Sequence, residues 1–370
     1  MSAAASTDRA PPTKEIRTLG YIGLGNAGHF LAKHLATHLS APAPLSRILV
    51  RDLSSEREAQ FVREVNALEG VHAAAERGTR ENWGECDVVV TMLPHGDAVR
   101  EVLLGKEGIA PLLKPGTVLI DTSSADPFNT VKMEEELRSQ YGLSLVDSAV
   151  TQERDRAIGD GEVTFLVGGQ DEAVEAAMPV LKCTSKYVFR MGGPGKGHIA
   201  KTLNNYVSAA AVRIWRCRHL RSCPLILASS QICALLDAYV LGAKAGVDPL
   251  TLTHAFNVGT AQTFSSRYSM TRDGLSGSHD SGYNLALLVK DLRINERVFD
   301  AVLGGGGSGG GGEGAQDGYP AHVRRRFERA LEALGGDAGA CHTKALRAWE
   351  EEAGVEVPKY EDVWAGKLGN

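Results

Sequence analysis

Between Thr18 and Val167, six short β-rich runs alternate with helical stretches, and this alternation limits the fold more than any other feature of the chain. The runs are Thr18–Gly23, Arg47–Arg51, Asp87–Met92, Val118–Asp121, Ser144–Val146 and Val163–Val167. Strands separated by helices need crossover connections, which build a mostly parallel sheet covered by helices on both faces. Helices are expected at Gly28–Leu39, Glu56–Leu68 and Pro127–Gln140, the last with Asp126 as N-cap and Pro127 at the first helical position. After Gly197 the strand pattern stops. His198–Ala211, Leu235–Ala245, Pro249–Phe256, Leu285–Val302, Ala321–Leu334 and His342–Glu352 all carry helical spacing. An α/β domain is therefore followed by an all-α domain, with the boundary near Gly192–Gly197.

The first strand runs into Gly23-Leu24-Gly25-Asn26-Ala27-Gly28, and the next helix begins there. A GxGxxG turn in that position suits a dinucleotide pyrophosphate. Gly23 permits the tight turn, Gly25 lets backbone approach phosphate, Gly28 allows close helix–sheet packing, and the helix N-terminus faces the charge. The first domain, residues 18–194, is thus expected to be a Rossmann-type NAD(P)-binding domain, and residues 195–370 a helical C-terminal domain. At the end of the second strand, Arg51-Asp52 offers a carboxylate where the ribose 2′-OH of NAD would lie, while the 2′-phosphate of NADP would favour a cation. Asp52 points to NAD and Arg51 to NADP; Asp52 also reads as the polar group that opens the following helix.

Composition removes other classes. With 40 Lys+Arg against 45 Asp+Glu, a net charge of −5 and no long basic run, nucleic acid is not an expected partner. The longest apolar stretches, such as Asp87–Pro94, fall far short of the ~20 residues that span a bilayer, so no membrane span is expected. The six Cys (86, 183, 217, 223, 233 and 341) form no CxxC pair or His/Cys ladder, which argues for free thiols and against a metal site. Met1–Arg17 has no apolar core and reads as a disordered arm; the cytoplasm is expected, with the mitochondrial matrix as the alternative.

Two segments interrupt the helical half. Gly304–Gly314 holds nine Gly in eleven residues and reads as a flexible loop, since each Gly costs a helix ~1 kcal/mol against Ala. Val212–Gln231, VRIWRCRHLRSCPLILASSQ, carries four Arg, no acid and Pro224 inside an otherwise helical stretch, and reads as a foreign insertion. Every Val codon begins with GT and one Gln codon is CAG, so a retained intron could start and end there in phase. Deleting it would join Ala211 to Ile232 in one helix.

Gly195-Lys196-Gly197-His198-Ile199-Ala200-Lys201-Thr202-Leu203-Asn204-Asn205 is a second glycine turn entering a helix. Lys201 and Asn205 stand at i and i+4 and share a face. A lysine beside a nicotinamide can exchange a proton with the oxygen of an alcohol or carbonyl while hydride moves, and an amide can orient the lysine or the substrate. By spacing alone, a solvated Lys and a helix-surface Asn is the better reading.

Taken in order, Gly23–Gly28, Asp87-Val-Val-Val-Thr-Met-Leu-Pro94, Asp121-Thr-Ser-Ser-Ala-Asp-Pro127, Gly195–Asn205 and Lys290-Asp291-Leu292 resemble the 3-hydroxyisobutyrate dehydrogenase group of β-hydroxyacid dehydrogenases, whose cofactor domain is similar to that of 6-phosphogluconate dehydrogenase. The resemblance covers Leu19 to about Val302. It implies that Leu93 and Pro94 line the adenosine side of NAD(P), Ser124 lies near the nicotinamide and substrate, Lys201 is the catalytic lysine with Asn205 beside it, and Lys290 closes the cleft between the domains. It also implies a short 3-hydroxy acid as substrate, oxidised to a semialdehyde or ketone as in valine catabolism, no metal, and a homo-oligomer formed through the helical domain. The stretch rejoined without Val212–Gln231, 24 residues from Tyr206 to Pro249, is similar in length to the family's interdomain helix. Where the family has Asp-Ala-Pro-Val-Ser-Gly-Gly, this chain has Asp147-Ser-Ala-Val-Thr-Gln-Glu153. Thr151 keeps a hydroxyl and Gln152 an amide for the substrate, but Glu153 would repel a carboxylate. The alternative is a catalytically inactive NAD(P)-binding scaffold; the presence of Lys201, and of Asn204 where a decarboxylating 6-phosphogluconate dehydrogenase would have His, favours an active alcohol dehydrogenase.

Overall fold

The computed structural model describes residues 15–39, 45–151, 162–216, 224–303 and 319–361. The eight strands are β1 (Thr18–Ile22), β2 (Arg47–Arg51), β3 (Ala74–Arg77), β4 (Val88–Thr91), β5 (Val118–Asp121), β6 (Ser144–Thr151), β7 (Val163–Gly168) and β8 (Ser185–Gly192). They form one sheet in the order β3-β2-β1-β4-β5-β6-β7-β8. The pairings from β3 to β6 are parallel and in register, with Ile22 opposite Arg51 on one side and Thr91 on the other. This is the order of a dinucleotide-binding sheet, in which the chain reverses its direction of travel between β1 and β4. β1, β4, β5 and β7 are buried along their whole length, as strands covered on both faces must be.

The helices between them are α1 (Asn26–His38), α2 (Ser55–Asn66), α3 (Gly96–Leu104), α4 (Pro127–Tyr141) and α5 (Asp171–Cys183). Asp126 caps α4, accepting from the Phe128 and Asn129 N–H groups at 2.8 and 3.4 Å, and Gly142 ends the helix in the left-handed conformation. Both signals are local, and the helix forms where they place it. β3 and β8 escape a reading by apolar runs because they alternate exposed and buried residues at the sheet edges. β6 extends five residues past the expected Val146, carrying Asp147 and Ser148 into the interior at 0% exposure.

The chain then gives α6 (Lys196–Arg216), α7 (Pro224–Lys244), α8 (Pro249–Asn257), an eleven-residue π-helix (Ser265–Leu275), α9 (Leu285–Leu303), α10 (Tyr319–Ala333), a 3₁₀ turn at His342–Ala345, and α11 (Leu346–Ala353). Pro224 is the first residue of α7, where its missing N–H costs nothing, so α6 and α7 are two helices and not one interrupted helix. Residues 217–223 between them lie outside the described ones, as do Met1–Lys14 and the glycine run. Residue contacts divide the chain into two compact units. One contains Met1–Ser148 and Gly169–Lys186, cored by Ile22, Leu49, Trp83, Val89, Leu103 and Leu119. The other contains Val163–Gly168 and everything from Tyr187, cored by Tyr239, Phe256, Leu288, Phe327 and Trp349. Among the described residues no helix is long and apolar enough to cross a membrane, and Cys86, Cys183, Cys233 and Cys341 are free thiols.

Candidate active site

In the first unit the predicted cofactor residues gather at the carboxyl ends of the parallel strands. Gly23 follows β1 at φ +103°, and a Cβ there would stand 2.2 Å from the Met92 carbonyl oxygen. A Cβ on Gly28 would stand 2.0 Å from the Gly23 carbonyl oxygen, so the first turn of α1 lies directly on the loop. Gly25 differs: a Cβ there meets nothing within 4 Å, and as N-cap of α1 it brings no side chain to the helix end. An open backbone edge at an uncapped helix N-terminus, beside Leu24, Asn26 and Ala27, fits a pyrophosphate. The loop is tied to its neighbours by the Gly23 N–H, which donates to the Arg51 carbonyl, and by the Leu24 N–H, which donates to Asp52 Oδ2 at 2.7 Å.

Asp52 is doubly held. Its Oδ1 accepts from the Ser54 N–H at 2.9 Å, and Arg57 lies 3.6 Å away. Ser54 is the N-cap of α2, so Asp52 braces the glycine loop instead of capping the helix. Leu93 packs against Gly23 and its N–H donates to Ser123 Oγ at 2.9 Å; Pro94 and Ser124 are exposed beside it. Ser123 is a contact that the sequence reading missed, although it lies inside the Asp121–Pro127 motif.

In the second unit, Lys201 lies partly buried on α6, one turn before the exposed Asn205. Burial holds the Lys201 ammonium below its ordinary value of 10.5. The start of α6 is anchored by the Lys196 ammonium on the Ala245 carbonyl. Between Lys201 and Asn205, Asn204 is fully buried and meets Thr151 at the end of β6 and Thr260 after α8. Sequence reading singled out Thr151, used Asn204 only to separate close relatives and gave it no contact, and missed Gly259 and Thr260. Lys290 on α9 is mostly exposed and pairs with Asp291 at 2.9 Å. Gln152 and Glu153 lie outside the described residues.

Two family models match: the NAD-binding domain of 6-phosphogluconate dehydrogenase over residues 18–193, and the NAD-binding domain of NADP-dependent 3-hydroxyisobutyrate dehydrogenase over 221–302. A probable mitochondrial 3-hydroxyisobutyrate dehydrogenase of Dictyostelium discoideum is 30% identical over 286 residues, 76% of this chain and 78% of that protein. The chain belongs to the 3-hydroxyisobutyrate dehydrogenase family. It is an NAD(P)-dependent oxidoreductase of that family. A 3-sulfolactaldehyde reductase of Escherichia coli is 31% identical over 192 residues, 52% of this chain and 59% of that protein. An imine reductase variant from Myxococcus stipitatus in complex with NAD+ shares the fold, with a TM-score of 0.57 at 17% identity, covering 90% of this chain and 99% of that one. The relatives carry the names of different substrates, so the substrate must be argued from this chain's own residues.

Proposed function

We propose that this enzyme reversibly oxidises the hydroxyl of a short 3-hydroxy acid or related β-hydroxy compound, with Lys201 as the proton-transferring group. The observation that carries the reading is the desolvated Lys201 ammonium on α6, a turn from Asn205. Depressing a lysine's proton affinity toward neutrality makes its neutral amine available as a base. In oxidation the substrate O–H proton passes to the Lys201 amine as the C=O bond forms; in reduction the ammonium returns it. Asn205, on the same helix face, orients the reacting oxygen. The Gly23–Gly28 turn and Asp52 would hold NAD(P), with Asp52 favouring NAD, and the bound cofactor would supply the hydride acceptor for the carbinol carbon. Glu153, within the substrate-loop sequence, disfavours a carboxylate, so a less acidic or larger β-hydroxy compound is the better substrate.

A second proposal concerns the chain itself. Residues 212–231 are the product of a retained intron, and the working enzyme lacks them. Residues 213–221 carry the four Arg of the stretch, whereas 224–231 form the apolar start of α7, and Ser230 there is 0% exposed with no partner for its hydroxyl among the described residues. Without the stretch, Ala211 meets Ile232 and α6 continues into the remainder of α7. Sequencing the mature transcript decides this: 60 nucleotides absent is the expected result, and their retention in a transcript encoding active protein overturns it. The function is tested on both forms by NAD(P)H production from a panel of 3-hydroxy acids and their amides. Turnover of at least one is expected, with 3-hydroxyisobutyrate a poor substrate; no turnover by either form overturns the reading.

A further inference from the structure

Four free thiols lie among the described residues, and three of them are inert by setting. Burial pushes Cys86 and Cys233 up to about 12 and Cys183 up to about 11. Cys341, just before the 3₁₀ turn of the second unit, belongs instead to a cluster of polar side chains. Its sulfur lies 2.9 Å from Ser281 Oγ, 3.2 Å from Thr343 Oγ1 and 3.9 Å from His342 Nδ1. The protons of this cluster can be placed. His342 Nδ1 is 3.1 Å from the Tyr283 carbonyl oxygen, which only accepts, so Nδ1 carries a hydrogen. Ser281 Oγ, 3.0 Å from the same nitrogen, also accepts from the Tyr283 N–H at 3.4 Å, so its own proton is left for the sulfur. Burial alone would raise the Cys341 thiol, but the hydrogen bonds from His342, Ser281 and Thr343 outweigh it and hold the thiol down to about 6.

The neighbourhood is cationic on its other side. His279 Nδ1 stands 3.2 Å from Thr343 Oγ1, and burial, followed by the charges of Arg347, Lys359 and Lys344, holds His279 below its ordinary 6.5 against the pull of Asp273. Ser281 and His342 also line a cavity of about 380 Å³ beside Tyr268, Arg272 and Tyr283, and Cys341 itself is 8% exposed. Donors converging on one sulfur, cations around it and an adjoining space for small solutes are the setting of a reactive cysteine. None of the groups that touch the sulfur lies in residues 212–231. We propose that Cys341 is a modification site for hydrogen peroxide and small hydroperoxides. The Cys341 thiolate forms an S–O bond to one peroxide oxygen as the O–O bond breaks, and the other oxygen leaves as hydroxide or alkoxide and takes a proton from solvent. Sulfur gives up two electrons and the peroxide gains them. The product is a sulfenic acid, which an added thiol returns to cysteine through a mixed disulfide. This site is independent of the role of Lys201.

The test treats the full chain with hydrogen peroxide at neutral pH, quenches it with catalase, unfolds it in iodoacetamide and maps the alkylated peptides by mass spectrometry. Cys341 should lose its alkylation at least roughly tenfold faster than Cys86, Cys183 and Cys233, whose thiols stay protonated, and dithiothreitol should restore it. Equal rates at the four thiols, or a Cys341 that remains fully alkylated, would overturn the proposal. Ser281→Ala removes the closest donor and should slow the oxidation of Cys341 severalfold in mildly acidic buffer. An unaltered rate in a folded Ser281→Ala chain would show that the cluster does not activate the sulfur. Should that variant fail to fold, the pH dependence of the unaltered chain decides. The oxidation rate should rise with pH around 6 and then level off, because the thiolate is the reacting form, and a rise that continues toward the ordinary 9.0 of a thiol would sink the idea.

Discussion

The two units of this chain hold their candidate site groups in place by opposite means. In the first, the groups are backbone: a positive-φ Gly23, an open Gly25 and a Gly28 pressed on the loop expose the end of α1, and β1, β2, β4 and β5 hold that end in place through strand hydrogen bonds. In the second, the groups are side chains on α6, and what holds them is other side chains, with Thr151 and Asn204 lying 53 residues apart in sequence. A backbone site is specified by a local pattern that any suitable sheet can present. A side-chain site depends on partners brought together only by the fold, and it can change its chemistry one residue at a time.

The sharpest test of this contrast is Lys201→Ala. If the second unit supplies chemistry and the first only binding, kcat should fall by roughly 10²–10⁴-fold, the usual worth of a positioned acid or base, while the Kd for NAD(P) barely moves. Burial lowers the lysine's proton affinity, so oxidation, which needs the neutral amine, should rise with pH and level off below the ordinary 10.5, and reduction should fall over the same range. Lys201→Arg should lose the pH dependence and the oxidation together, because a guanidinium stays protonated. A Lys201→Ala enzyme with normal kcat and weakened cofactor binding would reverse the two units' roles.

Gly28 and Gly25 offer the complementary test in the first unit. Gly28→Ala places a methyl 2.0 Å from the Gly23 carbonyl, an overpacking that should cost about 1–3 kcal/mol of stability, read as a lowered Tm. Gly25→Ala meets nothing within 4 Å and should leave Tm unchanged, yet weaken NAD(P) binding because the methyl occupies the phosphate's approach. Equal effects of the two changes on Tm would show that Gly25 is structural and that the open edge is not a binding surface.

The same contrast explains what could be read in advance. Val88–Thr91 and Val118–Asp121 are runs of buried residues, and Asp126-Pro127 is a cap, so each announces its own element without reference to the rest of the chain. β3, Ala74–Arg77, has two alanines and two charged residues at a sheet edge with only Ala75 buried, and its strand character comes from pairing with β2, which no local pattern encodes. The π-helix at Ser265–Leu275 is built from Ser, Thr, Arg and Gly with few apolar residues, and is held by contacts such as that of the Asn257 carboxamide with Ser266. Lys201 and Asn205 could be picked out by spacing and resemblance, but the burial that separates Asn204 from Asn205 arises from Thr260 and Thr151, both far away in the chain.

The smallest effect tests where the backbone site borrows a side chain. Asp52 holds the Leu24 N–H with one oxygen and the Ser54 N–H with the other, so it serves the loop before any cofactor arrives. Each oxygen keeps a second lone pair, and a ribose 2′-OH can donate to it, whereas a 2′-phosphate brings negative charge against the carboxylate. Asp52→Asn retains one oxygen for Leu24 but loses the charge. One hydrogen bond is worth about 0.5–1.5 kcal/mol net, so the preference for NAD over NADP in kcat/KM should fall by roughly tenfold at most. Asp52→Ala should lower it further and also reduce Tm, since the Leu24 and Ser54 N–H groups lose their acceptor. If the unaltered enzyme already binds NADP more tightly than NAD, then Asp52 only braces the loop, and Arg51→Ala should weaken the NADP preference by removing a cation at the end of β2.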